Sequence, residues 1–259
     1  MILLLTSSDE VAAAALYAEL FAMGETALRV NVDSFATEFD VVLEGPPDSW
    51  RIAPRNGGAP VAARDVRAVW CRGLGIVAEV PECDPRAALF VRSEWTRALE
   101  AWLYALRCRW VNDFRISRVA TNRVRQMALA QHLGLSVPSW SVLTRRADLE
   151  RFVDGRQVTW VVKQINEGGS KECGDFVTFT KSITDPLRVL ANDIDKLPIL
   201  IQEAVRPRVV VRAYVIGERC LSAASTLDLD RLGGLDSRLA GPHEAYYCPC
   251  ELPADVEHA

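Results

Sequence analysis

The chain opens on a run with no polar face. Ile2-Leu3-Leu4-Leu5-Thr6 is apolar almost throughout, as a strand buried on both sides of a parallel sheet would be. Ser8-Asp9-Glu10 then offers side-chain oxygens to the unpaired first amides of a helix predicted through about Met23, which Gly24 ends. A second strand over Ala27 to Val32 completes a βαβ beginning and implies a small open sheet with a right-handed crossover. Val41-Val42-Leu43 and Trp50-Arg51-Ile52 flank Gly45-Pro46-Pro47-Asp48, which reads as a hairpin, and Val66 to Arg72 is a further strand. Asp84 to Arg107 is the longest helical pattern. Its Leu89, Phe90, Trp95, Leu99, Trp102, Leu103 and Leu106 form one wide apolar stripe, so its tryptophans are read as core.

The second half alternates faster. A helix is predicted from Ser117 to His132, ended by Gly134 and followed by Pro138. Strands are predicted over Ser141 to Thr144, Thr159 to Ile165, Phe176 to Thr180, Leu200 to Ala204, Val209 to Ile216 and Arg219 to Ala224. Short helices fall at Ala147 to Val153 and Asp185 to Ile194, and Gly217 marks a hairpin. Antiparallel pairing therefore dominates after Thr144. A domain boundary is placed near Phe114, giving domains 1–114 and 115–259.

Composition narrows the class. The chain has 259 residues, 49% of them apolar and 25% charged, with a net charge of −4. That is an ordinary globular balance, with no basic excess to suggest nucleic acid. Arg115 to Arg125 carries four arginines and no acid, either a solvated helix face or one turned to an anion. Seven cysteines show no framework spacing, and Cys248-Pro249-Cys250 lacks the second pair a zinc site needs, so reduced thiols in a cytoplasm are expected. No apolar run reaches the about 18 residues of a membrane span. Met1 to Thr6 lacks the length and basic start of a signal peptide.

Four places could carry chemistry. Lys163 ends the strand Trp160-Val161-Val162, where a lysine can point at a phosphate or at solvent. Asn166-Glu167-Gly168-Gly169-Ser170 follows it. Its two glycines let backbone amides approach an anion, although a plain hairpin turn has the same composition. Gln202-Glu203-Ala204-Val205 ends an apolar strand, where backbone groups could meet an adenine edge while Glu203 reaches a ribose; a surface glutamate is the plain alternative. Arg212 lies inside Val209-Val210-Val211-Arg212-Ala213-Tyr214-Val215. Burial there would demand a carboxylate or phosphate partner, or a structural ion pair. Asp236 and Arg238 form a less specific polar pair. His132, His243 and His258 support no Ser-His-Asp arrangement, and His132 is expected on a helix surface; no Walker-type or Gly-x-Gly-x-x-Gly loop occurs.

Taken in order, these residues resemble the ATP-grasp maturases of ribosomal peptides, the graspetide or microviridin-type ligases. Arg29-Val30-Asn31-Val32-Asp33-Ser34-Phe35 is similar to the strand and loop before the family's hairpin. Ala68-Val69-Trp70-Cys71-Arg72 is similar to its Trp-x-Arg-Arg strand, and Trp110-Val111-Asn112-Asp113 precedes Asn122-Arg123-x-x-Gln126 as in the family. The resemblance covers nearly the whole chain. It implies an α/β ATP-grasp fold behind a pre-ATP-grasp domain, with ATP and magnesium as cofactors. It also implies a ribosomal precursor peptide, leader and core, as partner.

The implied reaction is phosphorylation of a peptide side-chain carboxylate, then attack by a Ser/Thr hydroxyl or Lys amine to give a lactone or lactam. By match, Lys163 would meet adenine-side and phosphate atoms. Glu203 and Val205 would form the adenine–ribose hinge and Arg212 would meet the acyl phosphate, while Gln202 and the loop residues Gly168, Gly169 and Ser170 are read from the sequence itself as further nucleotide contacts. Arg123 stands where the family has a lysine, keeping the charge but changing its geometry.

Two further departures bear on activity. Trp70-Cys71-Arg72-Gly73 lacks the second arginine of the family strand. The family's acidic strand and Glu-x-Asn motif, which hold magnesium, would follow Leu252-Pro253, where the chain ends at Ala259. Asp228, Asp230, Asp236 and Glu244 do not match that motif. The alternatives are a truncated relative that binds a leader peptide without turnover, and a ligase for a free amino acid or small peptide. A clamp lacking its last strands would expose apolar surface and form a homodimer or aggregate.

Overall fold

The structure is a computed structural model that describes residues 1–72, 75, 77–165, 181–190, 192–206, 209–227 and 247–257. The described residues fall into two compact units, Met1–Ala120 and those from Thr121 onward.

The first unit follows from its opening run. β1 (Ile2–Thr6) is buried because strands flank it on both edges and side chains cover both its faces. α1 (Val11–Ala22) begins at Glu10, whose carboxylate accepts from Ala12 N, and closes at Gly24 with φ +75°. β2 (Ala27–Asn31) returns parallel to β1, with Leu5 opposite Val30. After α2 (Phe35–Glu38), the chain makes an antiparallel sheet of β3 (Phe39–Val42), β4 (Arg51–Pro54) and β5 (Val61–Ala62). β6 (Ala68–Cys71) pairs with the other edge of β1. α3 (Ala88–Ala105) then leads to β7 (Arg109–Val111), which gives a parallel sheet in the order β2-β1-β6-β7.

The apolar stripe of α3 is buried only from its middle onward. Leu99, Trp102, Leu103 and the following Leu106 pack with Leu3, Leu5, Val30, Phe35 and Ile52. The Trp102 indole donates to Trp50 O at 3.2 Å, so its one polar atom is satisfied within the core. Leu89 and Phe90 are 72% and 68% exposed, so the predicted stripe is two residues too long at its start.

The predicted helix from Ser117 to His132 is two helices, α4 (Phe114–Ala120) and α5 (Arg123–His132). Asn122 causes the break. Its backbone is extended and its side chain accepts from Arg125 N, so it starts a new helix instead of continuing the old one. The second unit then forms a sheet in the order β10-β9-β11-β8. Its members are β8 (Trp140–Leu143), β9 (Trp160–Lys163), β10 (Lys181–Ile183) and β11 (Ile199–Glu203), with α6 (Arg146–Val153) and α7 (Pro186–Val189) between them. The predicted helix over Asp185 to Ile194 is a single helical turn, with hydrogen-bonded turns again over residues 192–194. Leu149 of α6 and Leu187 and Leu190 in and after α7 pack on Trp160, Ile183, Ile199 and Ile201, which all lie on one face of this sheet.

A second antiparallel sheet runs β12 (Val211–Ile216), β13 (Arg219–Ser225) and β14 (Tyr247–Pro249). Gly217, with φ +63°, makes the tight turn between the first two strands, as predicted. The predicted strand over Phe176 to Thr180 lies outside the described residues.

Candidate functional site

Lys163, Gln202 and Glu203 lie on the paired strands β9 and β11, and the register assigns their faces. Lys163 pairs with Leu200 and Gln202 with Val161, while Glu203 pairs with Trp160. Directly opposed residues share a face and neighbours along a strand alternate. Lys163, Val161, Leu200 and Gln202 therefore lie on one face. Glu203, Trp160, Val162 and Ile201 lie on the other, which carries the α6 and α7 core.

Gln202 is the unusual member of the first face. It is only 7% exposed, and among the described residues its Oε1 accepts no hydrogen bond. An amide oxygen shut away from water with no donor costs roughly 1–3 kcal/mol. Trp140 of β8 stands opposite it, half-buried. Sequence reasoning missed Trp140, because strand pairing between β8 and β11 is not written in either segment.

At the hinge, the first two amides are already engaged. Glu203 N donates to Ser139 O and Ala204 N to Thr159 O, both at 2.8 Å. Val205 follows and is exposed. Arg123 is tied to the end of β9. Its backbone N donates to Ile165 O at 2.9 Å and its Nη1 to Gln164 O at 2.7 Å, so the start of α5 is fastened beside Lys163. Gly168, Gly169 and Ser170 lie outside the described residues, as do Asp228, Asp230, Asp236, Arg238 and Glu244.

Arg212 overturns the argument from burial. Every residue of β12 is exposed, so its apolar sequence does not bury the guanidinium or oblige it to hold a partner. The guanidinium lies 5.2 Å from the centre of the Tyr247 ring on β14, a cation–π contact that leaves it facing solvent.

The family-like residues of the first unit interlock at the carboxyl edge of the parallel sheet. Arg29 donates to Asn31 and to the carbonyls of Ser7 and Ser8 at 2.8–2.9 Å. Asp33 accepts from Ser8 N and Oγ. Arg72 pairs with Glu10 at 3.0 Å. Hydrogen bonds from Arg115 hold the Asp113 carboxyl below its usual range. Burial, with the Asp113 charge adding to it, pushes the Cys71 thiol up to about 12.

Comparison with known proteins bears on the fold. Residues 1–118 match the family model described as the MvdD pre-ATP grasp domain. The macrocyclase MdnC of Microcystis aeruginosa MRC, solved bound with precursor peptide MdnA, superposes with a TM-score of 0.81 at 20% identity, over 100% of this chain and 81% of that one. The chain has the ATP-grasp fold behind a pre-ATP-grasp domain.

Two further ATP-grasp structures agree. A Chryseobacterium gregarium RiPP-associated ATP-grasp ligase, solved with ADP and a leader and core peptide, gives a TM-score of 0.74 at 17% identity, over 99% of this chain and 78% of that one. The ATP-grasp ligase PsnB, solved with a phosphomimetic precursor variant, Mg and ADP, gives 0.68 at 18%, over 99% and 77%. No curated protein is a significant match. Among the described residues, no helix is long and apolar enough to cross a membrane.

Proposed function

We propose that the chain is an ATP-dependent ligase that joins a side-chain carboxylate of a ribosomal precursor peptide to a hydroxyl or amine of the same peptide. The observation that carries the reading is Gln202 Oε1, a buried acceptor without a donor on the sheet face that also holds Lys163. An adenine amino group is a donor that would satisfy this oxygen once the base displaces the atoms that cover it, and the ATP-grasp fold puts a nucleotide reading on independent footing. Lys163, about 7 Å further along the strands, would meet the phosphates. With the amides of Glu203 and Ala204 engaged, the Val205 amide is the next hinge group for a ring nitrogen. Glu203 leaves β11 on the opposite face, so it would reach the ribose only by turning around the strand end. Arg123 would add positive charge beside Lys163, and Gly168, Gly169 and Ser170 would cover the phosphates.

ATP supplies the phosphoryl group. A peptide carboxylate oxygen attacks the terminal phosphorus and ADP leaves, giving an acyl phosphate. A peptide hydroxyl or amine then attacks the acyl carbon, phosphate leaves, and the nucleophile's proton passes to solvent. Arg212, exposed on β12 beside the Tyr247 ring, would hold the negative charge of the acyl phosphate. Among the described residues no group of His, Cys, Asp or Glu is arranged to hold a metal ion, so magnesium's ligands are not assigned. On this reading residues 1–114 are the pre-ATP-grasp domain and residues 115–259 the ATP-grasp domain.

The test is incubation with ATP, magnesium and a precursor peptide, followed by mass spectrometry. A loss of one water per ring with matching ADP release supports the ligase. ADP-free, unmodified peptide under conditions where ATP binds would overturn it.

A further inference from the structure

Among the described residues, the outer edge of β12 presents a regular row of backbone groups to no partner strand. Ser225 N donates to Val210 O at 2.7 Å, which fixes the parity of the β12–β13 ladder. Arg212, Tyr214 and Ile216 then exchange bonds with β13, while the N–H and C=O groups of Val211, Ala213 and Val215 point away from it. Among the described residues no strand pairs with that side. The strand also lacks the devices that guard edges: it has no proline, no lysine and no break in register.

Charge says what would add there. Arg212 and Arg219 share one face of this hairpin, against Glu218 in its turn, in a chain whose net charge is −4. A second copy would bring like charges together, whereas an acidic strand would be attracted. Val215 and Ile216, 73% and 62% exposed on opposite faces, offer an added strand apolar contact on both sides.

We propose that the outer edge of β12 is a docking strand for an extended, carboxylate-bearing peptide, which adds to the β12-β13-β14 sheet through Val211, Ala213 and Val215. Alternate residues of that peptide lie on the Arg212 face, so its acidic side chains are presented in steps of two. That the peptide is the ligase's own substrate rests on the function proposed above; the edge docking itself does not.

The test uses a fluorescein-labelled peptide of alternating glutamate and threonine, followed by anisotropy. Ala213→Pro removes an outward N–H that the β13 ladder does not use, so the sheet survives it. Binding about tenfold weaker or worse, with ATP affinity and thermal unfolding unchanged, supports the docking strand. Methylating the peptide's own amides one at a time gives a readout independent of the variant, and affinity should be lost at every second residue. Equal binding by Ala213→Pro, or losses with no period of two, would overturn the proposal. So would dimerisation in sedimentation that Ala213→Pro abolishes while the peptide fails to bind. If Ala213→Pro cyclises precursor with an unchanged KM, the edge does not dock the ligase's substrate and the ligase stands. If the acidic peptide binds the edge but no ATP-dependent product forms, the ligase falls and the docking strand stands.

Discussion

β11 and β12 are both mostly apolar, and they end in opposite environments. Ile199-Leu200-Ile201-Gln202-Glu203 is central, paired on both sides, and its first four residues are buried. Val211-Arg212-Ala213-Tyr214-Val215-Ile216 is an edge with every residue exposed. The same kind of sequence therefore gives a buried glutamine without a donor in one strand and a solvent-facing arginine in the other. Apolar content makes a strand; the neighbours on each side decide what its polar residue can do.

The widest separation between the two strands should appear in stability. Ile201→Ala removes a fully buried side chain and should cost about 2–5 kcal/mol in denaturant unfolding, whereas Val215→Ala on the exposed edge should stay within about 0.5 kcal/mol. Similar costs for both would erase the distinction. The polar residues should separate in the opposite sense. Arg212→Ala should leave unfolding unchanged within about 0.5 kcal/mol yet lower the ligation rate by roughly a hundredfold, read from product formation at saturating ATP.

Asn122→Ala tests the break between α4 and α5 and should cost about 1 kcal/mol through loss of the cap, with weaker ATP binding if the Arg123–Gln164 tether loosens. A smaller effect lies in the first unit. The native Cys71 thiol resists ionisation up to about 12, while the unfolded thiol ionises near 9.0. A raised thiol pKa favours the native state below the unfolded value, and that contribution is lost as pH rises from about 9 toward 12. Wild type should therefore lose more melting temperature than Cys71→Ala between pH 9 and 11, and parallel curves would contradict the assignment.

Much of the fold was legible because local chemistry agreed with global packing. The bare apolar run of β1, the Glu10 start and Gly24 stop of α1, and the Gly217 turn each state their element within a few residues. The failures occurred where a second signal was needed. Asn122 reads as a tolerable helix residue until its cap to Arg125 is seen. Leu89 and Phe90 continue an apolar stripe that the core does not reach.

Site residues were legible as identities and illegible as geometry. Lys163 and Gln202 could be picked from their segments, but only the antiparallel register puts them on one face and Glu203 on the other. The engagement of the Glu203 and Ala204 amides by Ser139 and Thr159 follows from long-range pairing, which no local pattern encodes.

The most direct test of the nucleotide face is Gln202→Leu, followed by thermal unfolding and by calorimetric titration with ATP. Leucine fills the same space and removes the unpaired acceptor, so the ligand-free protein should be more stable, by about 1 kcal/mol. The same variant should bind ATP about tenfold more weakly than wild type. Unchanged ATP affinity would place the base elsewhere and contradict the account, and so would a loss of stability without ligand.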